Sequence, residues 1–310
     1  MLTKTSSLKQ LVILSGKGGT GKTSVAAGLM HLSASSKFAG VFVDADVDAA
    51  NLGLVTEAKP LETHAYWGSQ SAEIKPELCN RCDLCYQVCR FNAIQQPRSH
   101  QDAYQVVDLL CEGCAVCAQL CPQSAISMSK QQDGEWYRAH TPYGHLFHAE
   151  LFPGAENSGK LVTTVKQFGK LFAEDNNLPL MLIDGPPGIG CPVISASGGA
   201  DLSLLVAEPG VSGIHDLERI IQTLDHFNIP KVVCINKADI FPEGTQAITE
   251  LTEAIGLTII GRIPFDPLLP KSIVNGQPIT KFAPQSPAAL AIKDIWRRLK
   301  DILFNQDGIE

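Results

Sequence analysis

The chain lacks the features that would direct it to a membrane or to nucleic acid. No run of Lys or Arg is longer than two, and the formal net charge over 310 residues is −7. Polyanions are held by clustered cations, so nucleic acid and anionic membrane are not expected partners. No stretch reaches the roughly 18 apolar residues needed to span a bilayer. A signal peptide is missing too: the apolar run Leu11–Leu14 leads straight into a Gly-rich loop with no cleavage site after it. The expectation is a cytoplasmic protein without stable membrane anchoring. In a reducing compartment a disulfide framework is disfavoured, yet the chain has ten cysteines. Eight of them lie between Cys79 and Cys121, a clustering that points to metal rather than packing.

What is present reads as an ordinary folded protein, with 45% apolar and 18% charged residues. The length suits one large domain plus a small one. Short Val/Ile/Leu-rich runs at Leu11–Ser15, Val41–Asp44, Leu180–Asp184, Leu202–Ala207, Val232–Asn236 and Thr258–Ile260 predict parallel strands covered on both faces. Helical segments at Lys22–Ser33, Gly213–His226 and Gly244–Ile255 alternate with them. The pattern predicts an α/β, doubly wound, mostly parallel sheet. From about 61 to 147 the alternation stops and cysteines, turn formers and short strands take over. Residues 1–60 and 148–310 are thus expected to form one discontinuous domain, interrupted by a small inserted one.

The segment LVILSGKGGTGKTS is strand, glycine loop and helix start, and Gly16-x4-Gly21-Lys22-Thr23 satisfies the P-loop pattern. Glycines let backbone N–H groups turn toward phosphate, and the following helix adds its positive end. Gly16, Gly18, Gly19, Thr20, Gly21, Lys22, Thr23 and Ser24 are the candidate nucleotide cradle. Lys22 is expected on the β/γ-phosphates and Thr23 on Mg²⁺.

The form of this loop, with an early Lys17, resembles the deviant Walker A of the MinD/ParA/Mrp and nitrogenase iron protein group. The resemblance covers the α/β portion. It implies ATP hydrolysis in a sandwich dimer, either a homodimer or a heterodimer with a paralogue. Lys17 would reach the partner's phosphates, as an arginine finger does. Val43-Asp44-Ala45-Asp46 resembles the switch I segment, which makes Asp46 the residue that orients the attacking water. Leu182-Ile183-Asp184-Gly185-Pro186-Pro187-Gly188 resembles Walker B and switch II. Asp184 would hold Mg²⁺ through water, and Gly188 would sense the γ-phosphate. Asn236 matches the base-reading asparagine, although Asn236-Lys237-Ala238-Asp239 also fits the guanine motif of GTPases; ATP is favoured over GTP. The stretch from Ile263-Pro264 to Pro278 resembles the loop closing over adenine. Cys191, seven residues after Asp184, resembles a cluster-holding cysteine of the iron protein. It is either a packing residue or a thiolate at the dimer interface, and Cys234, within a strand, is expected to be buried.

The inserted segment contains a repeat. Cys79-x2-Cys82-x2-Cys85-x3-Cys89 recurs as Cys111-x2-Cys114-x2-Cys117-x3-Cys121. Ile74 and Val106 precede the two runs at one offset, and Ala93-Ile94 and Ala125-Ile126 follow at another, suggesting two half-modules about a pseudo-twofold axis. Four thiolates hold one cubane, and in this pattern the fourth cysteine ligates the other cluster. One [4Fe–4S] cluster is therefore expected on Cys79, Cys82, Cys85 and Cys121, and the other on Cys89, Cys111, Cys114 and Cys117. Zinc and structural thiols are the competing readings. Cys121-Pro122 resembles bacterial ferredoxins, while Cys89-Arg90 departs from them. His140, His145 and His148 lack metal-ligand spacing and read as surface or hinge residues. The amphipathic tail at 290–303 reads as a last helix packed on the sheet. The combination resembles MinD-superfamily ATPases with an inserted ferredoxin domain. It implies either iron–sulfur or metallocofactor assembly, with an apo-metalloprotein or assembly protein as partner, or ATP-gated electron delivery to a redox partner. A membrane or DNA positioning ATPase is the weaker third reading.

Overall fold

Uninterrupted β-branched and aliphatic runs can be buried on both faces only inside a sheet flanked by helices, and they organise this molecule. The computed structural model describes residues 7–36, 38–99 and 102–304. In chain order the elements are β1 (Lys9–Ser15), α1 (Lys22–Ala34), β2 (Gly40–Asp44), β3 (Lys59–Ile74), α2 (Leu84–Val88), β4 (Ile94–Gln95), β5 (Gln105–Val106), α3 (Val116–Leu120), β6 (Ile126–Thr141), β7 (Gly144–Leu151), α4 (Ser158–Asp175), β8 (Leu180–Pro187), α5 (Cys191–Ser197), β9 (Leu202–Ala207), α6 (Val211–His226), β10 (Lys231–Asn236), α7 (Pro242–Ala254), β11 (Ile259–Ile263), α8 (Leu268–Val274), α9 (Ile279–Phe282) and α10 (Pro287–Phe304). A short 3₁₀ turn, Asp108–Leu110, precedes α3.

The main sheet has nine strands in the order β11-β10-β9-β1-β8-β2-β7-β6-β3. Pairing is parallel from β11 through to β7. β6 passes into β7 through Pro142 and Tyr143 alone, a connection so short that it joins antiparallel neighbours. Since β1 lies between β8 and β9, the carboxyl ends of β1, β8 and β2 open together at the place where ligands bind in such sheets.

The chain divides into two units. One comprises the residues up to Thr63, Trp136–Glu150 and those from Ser158 on; the other is His64–Glu135 with Leu151–Asn157. The expected insertion of 61–147 is corrected at its C-terminal edge. The segment 136–150 belongs to the α/β unit because β7 pairs with β2, setting Asp44 opposite His148. The expectation of short strands is corrected as well: β3 and β6 are each 16 residues long and run from one unit into the other. β11 starts one residue later than expected and continues to Ile263, and β8 continues past Asp184 to Pro187.

In the α/β unit, Leu11–Leu14, Val41–Val43, Leu180–Ile183 and Val233–Ile235 are fully buried. Each such aliphatic side chain contributes about 1.5–3 kcal/mol by leaving water. The expected tail helix is α10, whose Ile292, Ile295, Trp296, Leu299 and Leu303 are buried in this core. It lies close to α1 because Gly28 has no side chain: a Cβ there would stand 3.0 Å from the Ile292 Cγ2. His145 and His148 are packing residues. His148 stacks on Tyr137 at 4.8 Å, His145 lies against Phe172 at 4.6 Å, and burial holds both imidazoles below their ordinary range. Among the described residues no helix is long and apolar enough to cross a membrane.

Candidate functional site: a phosphate loop with a buried unpaired carboxylate, and two cysteine cavities

The loop after β1 is shaped for close backbone approach. Gly19 and Gly21 have φ of 78° and 91°, where L side chains are strained. Gly21 is doubly required, since a Cβ there would lie 2.3 Å from the Asn236 amide nitrogen. That amide donates to the Thr20 carbonyl at 2.7 Å. Asn236, expected to read the base, thus braces the phosphate loop in this structure. Lys22, the first residue of α1, is buried, and the Thr20 hydroxyl is buried without a partner.

Strand register assembles the acidic half. Asp44 is opposite Asp184 across β2–β8, and the Ala45 N–H donates to the Asp184 carbonyl at 2.8 Å. Gly188 is fixed by its N–H to the Ser15 carbonyl at 3.0 Å. Asp44 accepts from the N–H groups of Leu52 at 2.9 Å and Asp46 at 3.1 Å. Both carboxylate oxygens of Asp184 are buried with no hydrogen-bond partner. Burial raises the Asp184 carboxyl to about 6, against the pull of the Lys22 ammonium. Burial, then the negative charge of Asp184, raises Asp44 further from its ordinary value. Burial also raises Asp46, with Lys22 opposing. A buried carboxylate with both oxygens unpartnered, Asp184, beside a second buried acid, Asp44, calls for a cation, and oxygen ligands beside a phosphate cradle suit Mg²⁺.

Lys17 is bound within its own chain. Its Nζ donates to the Ser212 Oγ at 3.0 Å and lies 3.9 Å from Glu208, whose other oxygen takes Lys237 at 2.8 Å. Glu208 and Ser212 were not among the sequence candidates. The only sequence signal for Glu208 is an acid placed directly after the apolar strand β9. Ser24 is half-buried in the first turn of α1, and Pro264 directly follows β11, where the Phe265 N–H donates to Asp239 at 2.6 Å. Cys191 is exposed at the first position of α5; Cys234 is buried in β10 and raised to about 12 by that burial.

In the other unit the sequence repeat is a structural repeat. The pairs Arg81/Gly113, Asp83/Ala115 and Asn92/Ser124 hold equivalent places and share positive φ: 61° and 62°, 66° and 61°, 53° and 48°. Hydrogen bonds match as well. Lys75 N–H donates to the Ala125 carbonyl at 2.8 Å, and Val107 N–H to the Ala93 carbonyl at 2.7 Å, crosswise between the halves. Most of these left-handed positions carry side chains, a strain that persists only where the surroundings dictate it. The arrangement gathers the cysteines into two cavities. One is lined by Cys79, Cys82, Cys85 and Cys121, the other by Cys89, Cys111, Cys114 and Cys117. Burial, then neighbouring cysteines, raises the Cys85 thiol to about 11, with Cys117 raised in the same way. Among the described residues no three His, Cys, Asp or Glu side chains close on a single metal ion.

The family model for the CobQ/CobB/MinD/ParA nucleotide binding domain matches residues 11–279. An uncharacterised protein of Methanocaldococcus jannaschii is 34% identical over 296 residues, covering 96% of this chain and 98% of that one. The septum site-determining protein MinD of Bacillus subtilis is 28% identical over 48% of this chain and 58% of its own. Among solved structures, MinD with Mg-ADP from Pyrococcus horikoshii superposes with a TM-score of 0.58 at 18% identity, covering 97% of this chain and 100% of that chain. MinD in the MinC:MinD complex of Aquifex aeolicus gives 0.57 at 21%, covering 94% and 95%. At these identities the structures speak for the fold. With the matched family model and the phosphate loop described above, they make the chain an ATP-binding P-loop ATPase belonging to the CobQ/CobB/MinD/ParA family.

Proposed function

We propose that this ATPase carries two [4Fe–4S] clusters in a ferredoxin-like inserted module and couples Mg²⁺-dependent ATP hydrolysis to electron delivery by that module. The observation that carries the proposal is the grouping of the cysteines. Each cavity is lined by the four residues expected when the fourth cysteine of each run exchanges between halves. A cubane presents four irons around a cage, so its thiolates surround a cavity rather than converge on one ion. Each cluster, when bound, would supply a one-electron donor and acceptor.

The chain's own residues divide the remaining work. The backbone of Gly16–Thr20 and the ammonium of Lys22 hold the phosphates, while Asp184 and Thr23 hold Mg²⁺. Asp46 orients the attacking water, and Gly188 senses the γ-phosphate. Asn236 and the stretch from Pro264 on border the base. Lys17 acts across a dimer, formed with a second copy or a paralogue. Switch I and switch II flank the inserted module in sequence, so a nucleotide-dependent change in either bears on its chain connections.

The exposure of Cys191 favours a second reading, in which the protein assembles or transfers metal to an apo-protein. A positioning role is suggested by the names of the septum-site relatives; α10, with its apolar face buried, offers no membrane-binding surface for it. The test is anaerobic iron and sulfide analysis with EPR after reduction. About eight iron and eight sulfide per chain and reduced-cubane signals are expected. Zinc in their place, with no such signal, overturns the proposal. Incubating the reduced protein with MgATP and apo-acceptors, while following both iron and electrons, separates electron delivery from assembly.

A further inference from the structure

The repeat that builds the two cavities also makes them comparable residue by residue, and they differ. Asp83 follows Cys82 as Ala115 follows Cys114, and Tyr104 stands two residues before Val106 as Ala72 stands two before Ile74. All four residues line cavities. Asp83 and Tyr104 belong to the cavity of Cys79, Cys82, Cys85 and Cys121, whereas Ala72 and Ala115 belong to that of Cys89, Cys111, Cys114 and Cys117. One wall therefore carries a carboxylate and a phenol where the other carries two methyl groups.

The carboxylate is fixed in place. The Tyr104 O–H and the Gln96 amide donate to Asp83 Oδ1, the latter at 3.2 Å, and the Gln87 amide donates to Oδ2 at 3.1 Å. The opposite substitution occurs once: Glu112 lines the second cavity where Asn80 lines the first. Glu112 is exposed and, unlike Asp83, is held by no hydrogen bond among the described residues, so its charge is free to turn away from the cavity. Arg81, whose counterpart is Gly113, is exposed and does not line its cavity. The fixed charge beside the first cavity is thus the main electrostatic difference between the two walls. A fixed negative charge opposes the addition of an electron, and cluster potentials follow local charge and solvent exposure.

Resting on the two clusters proposed above, we propose that Asp83, held by Tyr104, splits their reduction potentials and makes the cluster of Cys79, Cys82, Cys85 and Cys121 the more negative. The first electron from an external one-electron reductant then resides on the other cluster. Asp83 is a positioning residue for charge, not a ligand.

The experiment is an EPR-monitored redox titration of the full-length, cluster-loaded protein with dithionite, iron content being measured on every sample. Wild type should show two one-electron waves. Asp83→Asn, which keeps an acceptor for Tyr104, should raise the more negative wave by tenfold or more in its equilibrium constant, about 59 mV per tenfold, and leave the other wave in place. Ala115→Asp should lower the other wave and narrow the split. The Ala115 φ of 61° suits aspartate better than alanine, so this variant keeps the loop. Eight-iron protein with coincident wild-type waves, or with both waves unmoved in Asp83→Asn, overturns this inference alone. A chain that takes up no iron overturns the cluster assignment as well.

Discussion

Lys17→Ala should lower ATP turnover by roughly 10³–10⁵-fold, the range lost with a trans-acting cation, while nucleotide affinity changes only a few-fold. In the monomer Lys17 is engaged by Ser212 and Glu208. About a third of each of the Lys17 and Lys237 side chains is exposed. Ion pairs so exposed are worth at most about 1 kcal/mol, so dimer formation can release Lys17 at little cost. A cation that meets the transferring phosphoryl only across a dimer stabilises the transition state and not the bound substrate, which places its effect in turnover. Lys22 differs: it is buried at the start of α1, and Lys22→Ala should weaken binding itself. Steady-state phosphate release and nucleotide titration on both variants separate the two roles. Wild-type turnover in Lys17→Ala would mean that the lysine does not act in trans.

Asp184→Asn should stabilise the nucleotide-free protein and remove its Mg²⁺-dependent activity. Asp184 and Asp44 are both fully buried and adjacent across β2–β8. Burial lifts the Asp184 carboxyl from 3.8 to about 6. A raised pKa means that the folded chain binds the proton more tightly than the unfolded one. Stability from this group is therefore full below about pH 4 and is lost as pH rises through about 6. The neutral amide avoids that loss. Its melting temperature should exceed wild type by a few degrees at pH 7.5, and the gain should shrink toward pH 5. Hydrolysis should fall roughly 10²-fold or more with loss of the Mg²⁺-holding carboxylate proposed for this position. Melting curves at the two pH values, without nucleotide and with MgADP, provide the check. A variant less stable than wild type at pH 7.5 would show that the carboxylate is not a destabilising charge in the free protein.

The parts of this architecture most legible in the sequence were those in which one physical requirement dominates a short stretch. β9 matches its expected span because Leu202–Ala207 is buried at every position. The glycine loop was legible because Gly19 and Gly21 have positive φ and Gly16 has no room for a Cβ. The cysteine runs were legible from their spacing alone. Long strands escaped for the opposite reason. Most of β3 is exposed, and Lys59–Ile74 mixes charge, amide and aromatic residues without a period of two. β6 begins in the cysteine unit and ends in the α/β sheet, so no single environment selects its residues. The insertion boundary was misplaced because β7, Gly144–Leu151, mixes His145, His148 and Glu150 among its apolar residues and so does not read as a Val/Ile/Leu run. In the site, the relation of Asp44 to Asp184 depends on strand register. The contact of Lys17 with Glu208 and Ser212 spans nearly two hundred residues, and no local pattern carries it.

The packing of α10 on α1 at Gly28 also bears on how nucleotide binding can be observed. Ile292 touches the helix whose first residue, Lys22, belongs to the phosphate loop, and one turn farther along α10 is the buried Trp296. The chain has three tryptophans; Trp67 is about half exposed, and Trp136 is buried and stacked on Phe168 at 4.2 Å. Trp296 is thus the indole that a displacement of α1 would reach first, through a single layer of side chains. Trp136 and Trp296 are both buried and both emit to the blue, so in a Trp136→Phe variant the blue-shifted component belongs to Trp296, and its change on adding nucleotide reports occupancy in real time.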